Sequence, residues 1–105
     1  MVHHHLVYLR LRADADAGAV MAALRGLVGV VPGLLSFAGG ENTSPEGISR
    51  GFTHAFAMVF ESAAARDGYL PHPAHVVVKD FIGERLDRSD RGGDAVAVMD
   101  FAGSD

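Results

Sequence analysis

The stretch from Phe52 to Glu61 alternates with a period of two, which is the signature of a β-strand. One face carries His54, Phe56, Met58 and Phe60; the other carries Thr53, Ala55, Ala57 and Val59. A strand face left in water usually bears Lys, Glu, Thr or Arg. Here the second face is small and apolar, and the run Asp94 to Phe101 (DAVAVMDF) is similarly poor in charge. Both faces of the sheet must therefore be covered, and a single layer of helices covers only one. The simplest cover for the other is a second copy of the same sheet, which predicts an isologous homodimer.

The remaining elements follow from the same periodicities. His3 to Arg12 alternates, with His3, His5, Val7, Leu9 and Leu11 on the more apolar face. Asp14 to Ala17 offers a helix N-cap. From Ala15 to Val30 the apolar residues Val20, Leu24, Leu27 and Val28 fall at helical spacing, with Val31 just beyond, and Pro32-Gly33 ends the helix. Leu34 to Gly40 reads as a short strand, and Glu41 to Gly51 as a polar loop. Ser62 can cap a helix from Ala63 to Tyr69, which Pro71 and Pro73 interrupt. In the helix that follows, His75, Val78, Ile82 and Leu86 share a face, which Val77 and Phe81 widen. Asp87 to Gly93 is a charged turn before the last strand. The order strand, helix, strand, strand, broken helix, strand predicts an α+β fold of ferredoxin-like βαββαβ topology. Four antiparallel strands then carry the helices on one face, and the end of the last strand (Asp100) lies near the start of the first (His5).

At 105 residues the chain is read as one domain, 1–105, large enough for a core without staples. It has no cysteine, which excludes disulfides and thiolate chemistry and fits a cytoplasmic location. A net charge of −4 argues against a nucleic-acid groove. No apolar run has the length of a membrane span, and no basic segment leads into an apolar one as in a signal peptide. Gly39-Gly40 and Gly92-Gly93 lack the helix context of a phosphate loop, so no nucleotide cofactor is expected.

Chemistry points to the stretch Tyr69-Leu70-Pro71-His72-Pro73-Ala74-His75. A neutral imidazole at His75, on the inward face of its helix, suits a general base. The Tyr69 phenol could donate a hydrogen bond to a developing oxyanion. Asp100 could orient His75 or His5. His5 and His54 are candidate ligand-binding residues, with Phe56 and Phe81 as apolar neighbours. The plainer reading is that such residues satisfy buried hydrogen bonds and seal the helix junction. His72 and His75 have H-x-x-H spacing, but zinc needs three or four converging ligands, so no metal is expected.

YLPHPAH, the stretch SPEGISRGFTHAFAMVFES and the opening HLVYLRLR together resemble the stress-responsive A/B barrel family of dimeric ferredoxin-like domains. The resemblance runs from His5 to Phe101 and is most specific at Gly51 to His54 and at His72 to His75. It implies a dimeric α+β barrel. The family includes plant polyketide cyclases that close a linear tetraketide by aldol condensation, as in olivetolic acid formation. By that resemblance Tyr69 and His75 match the working pair, and His5, His54 and Asp100 match further pocket residues. A pocket tyrosine of those cyclases corresponds to Leu24 here, which departs from the cyclase pattern.

Three functions remain in play. The first is binding of a small, partly apolar molecule between helices and sheet. The second is a cyclase or lyase with His75 as base and Tyr69 as oxyanion donor. The third is a structural or protective dimer without ligand.

Overall fold

The computed structural model describes residues 1–88 and 94–104. Its elements are β1 (Val2–Leu9), α1 (Ala17–Arg25), β2 (Leu34–Glu41), β3 (His54–Phe60), α2 (Ala63–Tyr69), α3 (Pro73–Gly83) and β4 (Val96–Gly103). The strands form one antiparallel sheet in the order β2-β3-β1-β4. This is the ferredoxin-like arrangement expected, with its second helix broken in two. The sheet is open, with β2 and β4 as its edges, and does not close on itself into a barrel.

Each helix begins at a side chain that satisfies an otherwise orphaned N–H. Asp16 accepts from the Ala19 N–H at 3.0 Å, Ser62 from Ala65 at 3.1 Å, and the His72 ring from Ala74 at 3.0 Å. The first helix is shorter than the predicted span of Ala15 to Val30, because Gly26 caps it. Beyond the cap, the N–H groups of Leu27, Val28 and Val30 bond three residues back, and Gly29 turns into the left-handed region at φ 89°. These tightened turns keep Leu27 and Val31 buried but leave Val28 and Val30 in solvent. Val77 also departs from expectation: it lies on the outer side of α3, 69% exposed, while Val78, Ile82 and Leu86 are buried. Most of the charged turn expected at Asp87 to Gly93 lies outside the described residues.

The core lies between the helices and the sheet, around Phe60, Met58, Val20, Leu24, Tyr69 and Leu9. α1 packs on β2 and α3, and α2 packs across β1, β2 and β3. α3 leans chiefly on α1. The segment after it is pinned by Arg12 N–H to the Arg85 carbonyl (3.0 Å) and Asp87 N–H to the Arg10 carbonyl (2.8 Å). Anchored in this way, α3 spans a gap above β1 and β4.

The opposite face of the sheet presents His4, Leu6 and Tyr8 from β1, Ala55, Ala57 and Val59 from β3, and Ala97, Met99 and Phe101 from β4. No acidic side chain, lysine or arginine is among them. Met99 (66%) and Phe101 (48%) stand out into solvent, and the His4 ring stacks on Phe101 at 4.6 Å. No helix among the described residues is long and apolar enough to cross a membrane.

One glycine is required by the route from α1 into β2. Gly33 has φ 79°, and a Cβ there would lie 2.5 Å from the Cβ of Ala65. Gly33→Ala therefore combines a left-handed conformation with a backbone-anchored clash, and is expected to cost about 2 kcal/mol or more. A urea denaturation midpoint measures this directly; an unchanged midpoint would mean the turn relaxes freely.

Candidate functional site

The proline break brings two aromatic side chains into contact, their planes tilted by 37°. α2 ends at Tyr69, and the His72 N–H returns to the Tyr69 carbonyl at 3.0 Å. Pro73, with its φ preset and no N–H to satisfy, then starts α3. His75 lies in the first turn of α3, and its ring centroid is 4.1 Å from that of Tyr69. A continuous helix would carry these residues around its own axis instead of folding one against the other.

The tautomer of His75 follows from its hydrogen bond. Nδ1 lies 2.9 Å from the Leu70 carbonyl, which can only accept, so Nδ1 carries the proton and Nε2 keeps its lone pair. Burial pushes the His75 imidazole below its ordinary value; the Leu70 carbonyl opposes this and the positive charge of Lys79 adds to it. The ring is thus neutral near neutral pH. The Tyr69 phenol is 1% exposed, and burial pushes its pKa above the ordinary value, so it remains a donor. Among the described residues its hydroxyl has no hydrogen-bond partner.

His5 faces the same place from the sheet. It is directly opposite Asp100 in the β1–β4 register, and its Nδ1 is 2.8 Å from Asp100 Oδ1. Its ring is boxed by Phe56, Phe60 and Tyr69, at centroid distances of 6.3, 6.1 and 5.7 Å. Asp100 therefore serves His5 and not His75, which has the Leu70 carbonyl instead. The other Asp100 oxygen takes a hydrogen bond from Arg66 Nη1. Burial pushes the Asp100 carboxyl up, but the hydrogen bonds from Arg66 and His5 outweigh it and hold the group below its ordinary value. An ionised Asp100 fixes His5 as the Nδ1–H tautomer.

The gap under α3 is a cavity of about 840 Å³. Ring contacts gather His5, Tyr69 and His75 at one end of it, while the Leu11–Leu86 bridge ties β1's continuation to the segment after α3 at the other. The walls are aliphatic: Val7 and Leu9 from β1, Leu24 from α1, Val78 and Ile82 from α3, and Leu86 just beyond it. Val96 and Val98 of the edge strand lie on its open side, where Val98 is 57% exposed. Lys79, Asp80, Glu84 and Arg88 supply both signs of charge to the lining. The arrangement can take a molecule with a polar head and an apolar remainder.

Of the residues singled out from the sequence, Tyr69, His75, His5 and Phe56 line this cavity, and Asp100 stands behind His5. His54 and Phe81 are not part of its lining. The His54 Nδ1 is 2.8 Å from Thr53 Oγ1, and His54 borders a separate hollow of about 570 Å³ beside Tyr8 and Phe52. The Phe81 ring is covered by the Arg85 guanidinium, 3.6 Å from its centroid. His72 spends its Nδ1 on the α3 cap. Among the described residues no three His, Cys, Asp or Glu side chains converge as for a metal ion. Arg66 escaped the sequence reading. Its one signal is its position three residues before Tyr69, which puts both on one helix face.

Residues 3–102 match the model of the stress-responsive A/B barrel domain. The stress-response A/B barrel domain-containing protein At5g22580 of Arabidopsis thaliana is 37% identical over 76 residues, which covers 69% of this chain. The match spans 66% of that protein, just under two thirds of its length. Olivetolic acid cyclase of Cannabis sativa is 27% identical over 79 residues, 72% of this chain and 78% of the cyclase. Among solved structures, a dimeric ferredoxin-like protein of unknown function from Jannaschia sp. CCS1 superimposes with a TM-score of 0.81 at 28% identity, covering 97% of this chain and 99% of that one.

Proposed function

Because the chain belongs to the stress-responsive A/B barrel family, we propose that it works as a homodimer in which each subunit binds a small, partly apolar molecule between α3 and the sheet. One observation carries the ligand reading: an aliphatic cavity of about 840 Å³ ends on three polar rings, His5, Tyr69 and His75. Such convergence of a few polar groups at one end of an apolar space is the usual form of a small-molecule site. The uncharged face of the sheet supports the dimer, as does the dimeric relative from Jannaschia.

A second reading is favoured by a specific geometry. His75 presents a bare Nε2 beside a protonated phenol, which is the pairing needed to remove a proton next to a carbonyl and hold the oxyanion that forms. Similarity to olivetolic acid cyclase supports aldol chemistry of this kind. Leu24 lines the cavity at the position where the resemblance implies a pocket tyrosine in those cyclases, so an aliphatic wall replaces a hydroxyl there.

The test is calorimetric titration with an alkylphenol probe. One probe per subunit is expected, with binding lost in Val98→Trp, which fills the cavity from the edge strand without entering the core. A protein that binds no such probe, or a Val98→Trp variant that binds it unchanged, would leave the ligand-free dimer as the reading.

A further inference from the structure

We infer that Lys79 selects the charge of the ligand and that the ligand is a hydroxy acid: its carboxylate pairs with Lys79 and accepts from Tyr69, its hydroxyl donates to His75, and its apolar remainder lies along the aliphatic walls. This deepens the ligand reading above and rests on it. The inference starts from the donors and acceptors where the rings meet. The buried Tyr69 phenol keeps its proton and offers a donor. His75 has spent Nδ1 on the Leu70 carbonyl, so its Nε2 offers an acceptor. His5 has spent Nδ1 on Asp100, and the charge of Asp100 is itself met by Arg66. A ligand that answers Tyr69 and His75 together must accept from one and donate to the other. A hydroxyl beside a carbonyl or carboxylate oxygen does both.

Lys79 decides between a carbonyl and a carboxylate. It lies four residues after His75, about one turn along α3, and lines the same cavity. Its positive charge lowers the proton affinity of the His75 ring, so it is felt where the polar head of a ligand would sit. The ion pairs of the described residues join His5 to Asp100, Arg12 to Asp14, Arg66 to Asp67 and Asp100, and Arg85 to Glu84; Lys79 is in none of them. The negative charges of the lining are placed differently. Asp80 is turned about 140° around the helix from His75, against about 40° for Lys79. Glu84 lies a further turn along, beside Arg85 at 3.6 Å. Arg88 follows the Leu11–Leu86 bridge, at the other end of the cavity. The charge left unmatched at the ring end is therefore positive, and it favours a carboxylate over a neutral carbonyl. Lys79 is exposed, so the pair it forms is partly solvated and modest in strength.

The test compares two probes by calorimetry near neutral pH, using the full chain. One is an alkylphenol; the other is the 2-hydroxybenzoate with the same alkyl chain, so the two differ only by the carboxylate. The wild type should bind the hydroxybenzoate about fivefold more tightly than the phenol. Lys79→Met should bring the two affinities within about twofold of each other, and Lys79→Arg should keep the preference. The readout is a ratio, so any general loosening of the cavity in a variant cancels. Equal affinities in the wild type, or a preference that survives Lys79→Met, overturn the inference. When the alkylphenol binds without a preference for the acid, the cavity reading stands and the charge assignment alone fails. When neither probe binds the wild type, both fail.

Discussion

His75→Ala is expected to lower turnover of a linear poly-β-ketone probe by about 100-fold or more, the usual scale for losing a general base. The fold should survive the change. The His75 ring is half-buried at a cavity wall, and the substitution removes one hydrogen bond, to the Leu70 carbonyl, worth about 1 kcal/mol. Thermal unfolding and turnover, measured on the same preparations, separate the two effects. Turnover that persists at the wild-type rate would remove His75 from the role of base, and a wild type with no turnover would remove the enzymatic reading altogether. The pH dependence carries a sign. Because burial lowers the proton affinity of His75, the ring is in its working, neutral form at and above the ordinary histidine value of about 6.5. Activity should therefore fall only as the pH drops below that value. Stability follows the same direction: between the ordinary value and the lower folded one, the unfolded chain binds more protons, so acidification through that window disfavours the fold.

A comparable effect is expected for Ala57→Glu on the other side of the sheet. Ala57 lies on β3 between Leu6 of β1 and Ala38 of β2, in the middle of the uncharged face. In a homodimer that face is buried, and burying an unpaired carboxylate costs about 3–5 kcal/mol, which corresponds to a loss of dimer affinity of about 100-fold or more. Sedimentation equilibrium should show monomers where the wild type shows dimers. Circular dichroism should be unchanged, since the side chain points away from the core of its own subunit. A variant that remains dimeric would place the interface elsewhere.

Period-two alternation and the Ser62 and Pro73 signals made most of the fold legible. β3 and α2 appear close to their expected bounds, and the β1–β4 pairing that brings Asp100 to His5 follows from topology alone. The end of α1 was not legible, because Gly26 and Gly29 in a run of apolar residues fit either a continued helix or a capped one. At the cavity, Tyr69 and His75 were legible because two prolines mark the turn between them. His54 is a pocket candidate through the family resemblance, with a core histidine as the plainer reading, and its register with Leu9 sets it far along β1 from His5. Phe81 shares the apolar stripe of α3 but turns under Arg85, a cation–π contact that no spacing rule specifies.

The order and type of the elements, the low-charge second face of the sheet and the proline break between Tyr69 and His75 are written in the chain itself. These are local properties, set by side-chain period and backbone restriction over a few residues. The stand-off of α3 that leaves a cavity, the orientation of His5 by Asp100 and of His75 by Leu70, and the hydrogen bond from Arg66 to Asp100 belong to the tertiary structure. Those outcomes depend on distances between elements far apart in the chain, such as Arg66 and Asp100, where the direction of a single side chain chooses the partner.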